Sequence, residues 1–99
     1  MEYNDSRGNH GIIETGEVQW MTAGKGILHK EYHSKKFARA RGNFEMVQLW
    51  VNLPSKVKMT EPKYQGITRD QIVSIDLPNN CGRVEIIAGN FENFVGPAQ

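Results

Sequence analysis

Short apolar runs, each cut off by glycine, proline or an Asn-rich turn, are the feature that most limits what this chain can fold into. No helical period lasts beyond a turn or two, so the runs read as strands. In Glu17-Val-Gln-Trp-Met21, Val18 and Trp20 share one face while Glu17 and Gln19 share the other, as in a half-buried strand. Met46 to Leu53 alternates most strongly, with Val47, Leu49, Val51 and Leu53 on one face and Met46, Gln48, Trp50 and Asn52 on the other. Pro54 ends that run by removing a backbone donor. The expected core is Val47, Leu49, Val51 and Leu53 together with Val18 and Trp20, with Trp50 at a pocket wall or an edge.

The connections fit the same picture. Ser6-Arg-Gly-Asn9 reads as a hairpin turn, Gly11-Ile-Ile13 opens the next strand, and Glu14-Thr-Gly16 turns the chain again. Gly24 and Gly26 permit a positive φ or a close backbone approach, but no Lys-Ser/Thr follows them to make a phosphate loop. Lys30 to Gly42 is polar and basic and reads as a loop, with a helix over Lys35 to Arg41 capped by Ser34 as the alternative. Ser55 to Tyr64 reads as a polar connection. Two further strands, Gln71 to Leu77 and Gly82 to Ala88, flank the turn Pro78-Asn-Asn-Cys-Gly82. From Asn90 the tail carries Phe91 and Phe94 with little to pack against. Short strands at this spacing predict an all-β sandwich or barrel.

Composition narrows the function. Ninety-nine residues make one domain with a thin core, at 38% hydrophobic residues and a mean hydropathy of -0.55. Twelve Lys and Arg against eleven Asp and Glu leave a net charge of +1, which is no footprint for nucleic acid. Lys35-Lys36 and Arg39-Ala-Arg41 read as a solvated cluster. Cys81 is the only cysteine, so an intramolecular disulfide is excluded and a reducing compartment fits best. It reads as a small, partly buried turn residue without an activating neighbour. No run is apolar enough for a signal peptide or a membrane span, and a cytoplasmic location is expected.

The chemistry-bearing segment is Ile27-Leu-His29-Lys-Glu31, directly after the Thr22 to Gly26 turn. In an extended chain, residues two apart point to one face, with Cα atoms about 6.6 Å apart. An imidazole and a carboxylate so placed can converge on one metal ion. His33 continues the parity but lies about 13 Å along a straight strand from His29 and cannot share that ion. On the residues alone, surface chemistry at a strand end is a competing reading. A helical zinc site through His29 and His33 is a poorer one, since the metalloprotease signature needs Glu where Lys30 stands.

These residues also carry a family resemblance. Gly16 to Glu31 with its Gln-Trp-Met-Thr-Ala-Gly block, Gln48-Leu-Trp-Val-Asn-Leu-Pro54 and Pro62-Lys-Tyr-Gln65 resemble the pirin family of the cupin superfamily. The likeness runs from Asp5-Ser6-Arg-Gly8-Asn9 to Val84-Glu-Ile-Ile-Ala-Gly89 and Gly96-Pro97-Ala98. Pirins are bicupins, and their first β-barrel holds iron through three histidines and one glutamate. The resemblance implies that His29 and Glu31 are the last histidine and the glutamate of that set. The other ligands come from an earlier His-x-His motif that this chain lacks. It therefore implies a partial cupin (a double-stranded β-helix or jelly roll): residues 1–89 from the first barrel and residues 90–99 leading toward a second. It further implies a weakly held ferrous ion, and a relation to iron-dependent dioxygenases acting on the flavonol quercetin. Alternatives are a non-enzymatic, iron-dependent binding module that serves transcription factors and an inactive product of a disrupted gene. An incomplete barrel leaves strand edges unpaired, so self-association is expected.

Overall fold

The structure is a computed structural model that describes all residues 1–99. Its main regular elements are strands: β1 (Glu2–Asp5), β2 (His10–Ile12), β3 (Val18–Thr22), β4 (His29–Tyr32), β5 (Lys63–Ile67), β6 (Val73–Asp76), β7 (Arg83–Ile86), β8 (Asn90–Phe91) and β9 (Phe94–Val95). The one α-helix, α1, spans Lys35–Ala40. Two compact units divide the chain, one of residues 1–12 and 21–63, the other of residues 13–20 and 64–99.

In the first unit β1 is the central strand, antiparallel to β2 on one side and to β4 on the other. Ser6 to Asn9 forms the expected hairpin turn. Asp5 closes it, taking the Arg7 and Asn9 backbone N–H groups on Oδ1 at 2.9 and 3.0 Å. This is the local competition by which a short carboxylate organises a turn. The entry to β4 is tied to the same turn, because Ser6 donates its N–H to Leu28 and accepts from the Leu28 N–H on its hydroxyl.

Lys30 to Gly42, expected as a loop with a capped helix over Lys35 to Arg41 as the alternative, instead continues β4 through Tyr32 and then forms the helix. Ser34 is buried and its hydroxyl accepts the Phe37 N–H at 3.3 Å, a standard N-cap. Arg41, at φ +57° and ψ 173°, ends the helix by leaving the helical region, its N–H still bound to the Phe37 carbonyl.

The strongest strand expectation is not met. Met46 to Leu53 belongs to no sheet, and Val47, Leu49, Trp50 and Val51 are 76–90% exposed. The expected core through Val47, Leu49, Val51 and Leu53 is therefore absent, while Val18 and Trp20 are half-buried. Alternation states a preference for a pleated, half-buried surface, and that preference needs a partner strand to be expressed. None pairs with this run.

β3 pairs with β5, and within the second unit β6 pairs with β7 and β8 with β9. The β6–β7 hairpin matches the two strands read around Pro78–Gly82, with Asn79 and Asn80 taking positive φ in the turn. Cys81 lies there as expected but is exposed rather than partly buried. β5 was not anticipated, since Ser55 to Tyr64 read as a polar connection. The tail is better held than its composition suggests. Gln65 donates to the Pro97 carbonyl and accepts the Gln99 N–H, while Ala98 bonds back to Ile87. Ile67 and Ile86 are the buried apolar side chains here.

Gly24 shows why the loop before β4 needs glycine. Its φ is +51°, and a Cβ would stand 2.0 Å from the Thr60 carbonyl oxygen, which accepts the Lys25 N–H. Lys25 and Arg7 both pair with Glu61 beside it. Gly24→Ala should cost at least about 2 kcal/mol through left-handed strain and displacement of the Thr60 backbone. Gly26→Ala, strained by its φ of +121° but with open space at its Cβ, should cost less. Urea denaturation of the two variants checks the order.

Candidate metal centre

Strand parity divides β1 and β4 into two faces. Opposite residues in the ladder are Glu2 with Tyr32, Tyr3 with Glu31, Asn4 with Lys30 and Asp5 with His29. One face thus carries Tyr3, Asp5, His29 and Glu31. The other is a polar network, in which Asn4 donates to the Tyr32 hydroxyl at 2.8 Å and that hydroxyl donates to Glu2 at 3.2 Å. The histidine His10, opposite Asn4 on β2, belongs to this second face.

The sequence-predicted pair is brought together. His29 Nδ1 lies 3.6 Å from Glu31 Oε1, with the two side chains 33% and 21% exposed, so both can be reached from solvent. That separation is too long for a hydrogen bond and is a charged contact only when the imidazole is protonated. No third His, Cys, Asp or Glu joins them in a cluster that could hold a metal ion. His33 stays apart, as strand geometry requires. Its ring packs 5.2 Å from Phe37 and 5.0 Å from Phe44, centroid to centroid.

Two residues on the same face were not anticipated. Tyr3 is wholly buried, its ring centroid 5.8 Å from that of His29 and tilted by 46°. Its hydroxyl donates to Asp5 Oδ2 at 2.8 Å and stands 3.3 Å from the Met21 sulfur. Asn9 Nδ2 donates to the same Asp5 oxygen at 2.8 Å. Each Asp5 oxygen therefore takes two donors, which fills the lone-pair capacity of a carboxylate. An open depression beside this end of the ladder is lined by Asn4, Asp5, Ser6, Leu28, His29 and Lys30.

Partial burial pushes the Asp5 carboxyl upward, but the hydrogen bonds from Asn9, Tyr3 and the Arg7 backbone outweigh it. They hold the group at about 2, against an ordinary 3.8. Asp5 is an anionic anchor for the turn, with no lone pair left for a cation.

Comparison with known proteins decides the family. Residues 1–51 match the family model described as Pirin. The chain belongs to the pirin family. A Pseudomonas aeruginosa protein provisionally named a quercetin 2,3-dioxygenase is 50% identical over 98 residues, covering 99% of this chain and 34% of its own length. Pirin-1 of Arabidopsis thaliana is 40% identical over 98 residues, covering 96% of this chain and 30% of its own length. The crystal structure of quercetin 2,3-dioxygenase from Acinetobacter baumannii superposes with a TM-score of 0.91 at 51% identity, over 99% of this chain and 34% of that one. The fold is thus the corresponding part of an all-β pirin cupin, and the chain spans about a third of the length of these relatives.

The depressed Asp5 value fixes a pH dependence. A carboxyl whose folded value lies below its unfolded one stabilises above about 3.8 and loses that contribution as pH falls toward about 2. The stability difference between wild type and Asp5→Asn should therefore be constant above pH 5 and shrink through this window. Thermal melts at pH 2 to 6 check it, and carbon-detected NMR should show Asp5 titrating near 2.

Proposed function

We propose that this pirin chain carries two ligands of an iron site, His29 and Glu31, of the kind used in quercetin 2,3-dioxygenase chemistry. The observation that supports it is the convergence of an imidazole nitrogen and a carboxylate oxygen, 3.6 Å apart, on one face of β4. The donor types fit: neutral imidazole with a carboxylate suits ferrous iron. The donor count is two, so the affinity expected is low. A bound ferrous ion with open positions supplies the capacity to handle dioxygen.

The chain's own part is to hold the two donors ready. Neutral His29 offers a ring nitrogen and ionised Glu31 an oxygen, and both must be free of protons to bind. β4 keeps them on one side because its partner β1 fixes the register. The small donor count favours a second reading, in which the chain is a non-catalytic, iron-dependent binding module. The exposed run Met46 to Val51 supports the further proposal that copies of the chain associate. Light scattering that shows one monomeric species at all concentrations would refute that.

The metal reading is tested by anaerobic titration with Fe2+ and an oxygen electrode with quercetin. Weak binding that is lost in His29→Ala and in Glu31→Gln is the expected outcome, with iron below one per chain after purification and little oxygen uptake. Binding unchanged in both variants would remove the site. Full iron occupancy with turnover lost in His29→Ala would favour the enzyme reading over the binding module.

A further inference from the structure

The face that carries His29 and Glu31 has a wall and an anchor that the ligand pair alone does not explain. Tyr3 is the largest buried side chain of the first unit, although it lies two residues from the chain start. It stands directly opposite Glu31 in the ladder, and its ring lies against the His29 imidazole. Residues directly opposite on antiparallel strands have Cβ atoms about 4.5–5.5 Å apart, close enough for one side chain to limit the rotamers of the other. The Tyr3 hydroxyl is bound to Asp5, the residue directly opposite His29.

We propose that Tyr3 is a positioning residue for the His29–Glu31 pair: its ring sets the plane of the imidazole, and its hydroxyl, through Asp5, pins the strand end that carries His29. The proposal rests on the metal reading above.

Metal-binding histidines are commonly oriented by a hydrogen bond to the second ring nitrogen. In this chain His29 turns Nδ1 toward Glu31, and the contact that fixes its plane is the aromatic ring behind it. The two functions of Tyr3 reside in different atoms. Tyr3→Phe keeps the ring and removes the tie to Asp5, whereas Tyr3→Leu removes both.

The test is made on the full 99-residue chain. Co2+ serves as the probe, followed by calorimetry and visible absorption, with circular dichroism as the control for folding. Tyr3→Phe, which keeps the ring but loses the tie to Asp5, should bind Co2+ roughly threefold more weakly than wild type, and Tyr3→Leu about tenfold more weakly with its sheet signal retained. In the wild-type NMR spectrum, Tyr3 ring protons should give cross-relaxation to the His29 ring, and the His29 resonances should move in Tyr3→Leu. A folded Tyr3→Leu with wild-type affinity and unmoved His29 resonances would overturn the proposal. Absence of Tyr3–His29 cross-relaxation in the wild type would do so even if Tyr3→Leu failed to fold. Should wild type bind no Co2+ while that cross-relaxation is present, the metal reading fails and the seating of His29 by Tyr3 stands.

Discussion

The ladder between β1 and β4, held by the buried Tyr3, is the constraint on which the candidate site depends. β4 is four residues long and could not hold a geometry by itself. Paired to β1 it has a defined register, and a slip of one residue would turn His29 and Glu31 to the opposite face. Tyr3 opposes that slip. Burying a tyrosine ring removes on the order of 150 Å² from water, worth roughly 2–3 kcal/mol, and a shifted β4 would take away the His29 ring that covers part of it.

Polar contacts hold the end of the same ladder. Asp5 gathers the Arg7 and Asn9 amides, the Asn9 side chain and the Tyr3 hydroxyl, so the turn and the buried ring share one carboxylate. Hydrogen bonds to an ionised acceptor are among the stronger ones, and they keep Asp5 charged without a cation. That separates the acidic residues of this face by role. Asp5 is committed to the fold, whereas Glu31 stands beside His29 as its partner in the proposed site.

Much of this was legible in the sequence, and the rest was hidden for identifiable reasons. The His29–Glu31 pairing follows from period-two parity alone, which is why it survived into the structure. The turns at Ser6–Asn9 and Pro78–Gly82 and the Ser34 cap follow from local backbone chemistry and do not depend on distant partners. β1 was implied only by the hairpin turn that follows it: Met1 and Tyr3 alternate with Glu2 and Asn4 over too few residues to fix a register, so the positions of Tyr3 and Asp5 across from Glu31 and His29 could not be read. Met46 to Leu53 misled in the opposite direction. Its alternation is strong, but whether an apolar run becomes a strand is decided by a partner, and none of the strands in this chain provides one.

Two functional readings meet at the same pair of atoms. Both need a metal on His29 and Glu31, so its location is the point from which either proceeds. A crystal of the chain soaked anaerobically in ferrous salt, with anomalous data collected across the iron edge, tests this most directly. The account predicts a single strong anomalous peak in contact with both the His29 imidazole and the Glu31 carboxylate, with Asp5 still bound to Tyr3 and Asn9. Iron held elsewhere with that position empty, or a peak drawing Asp5 away from the turn, would contradict it.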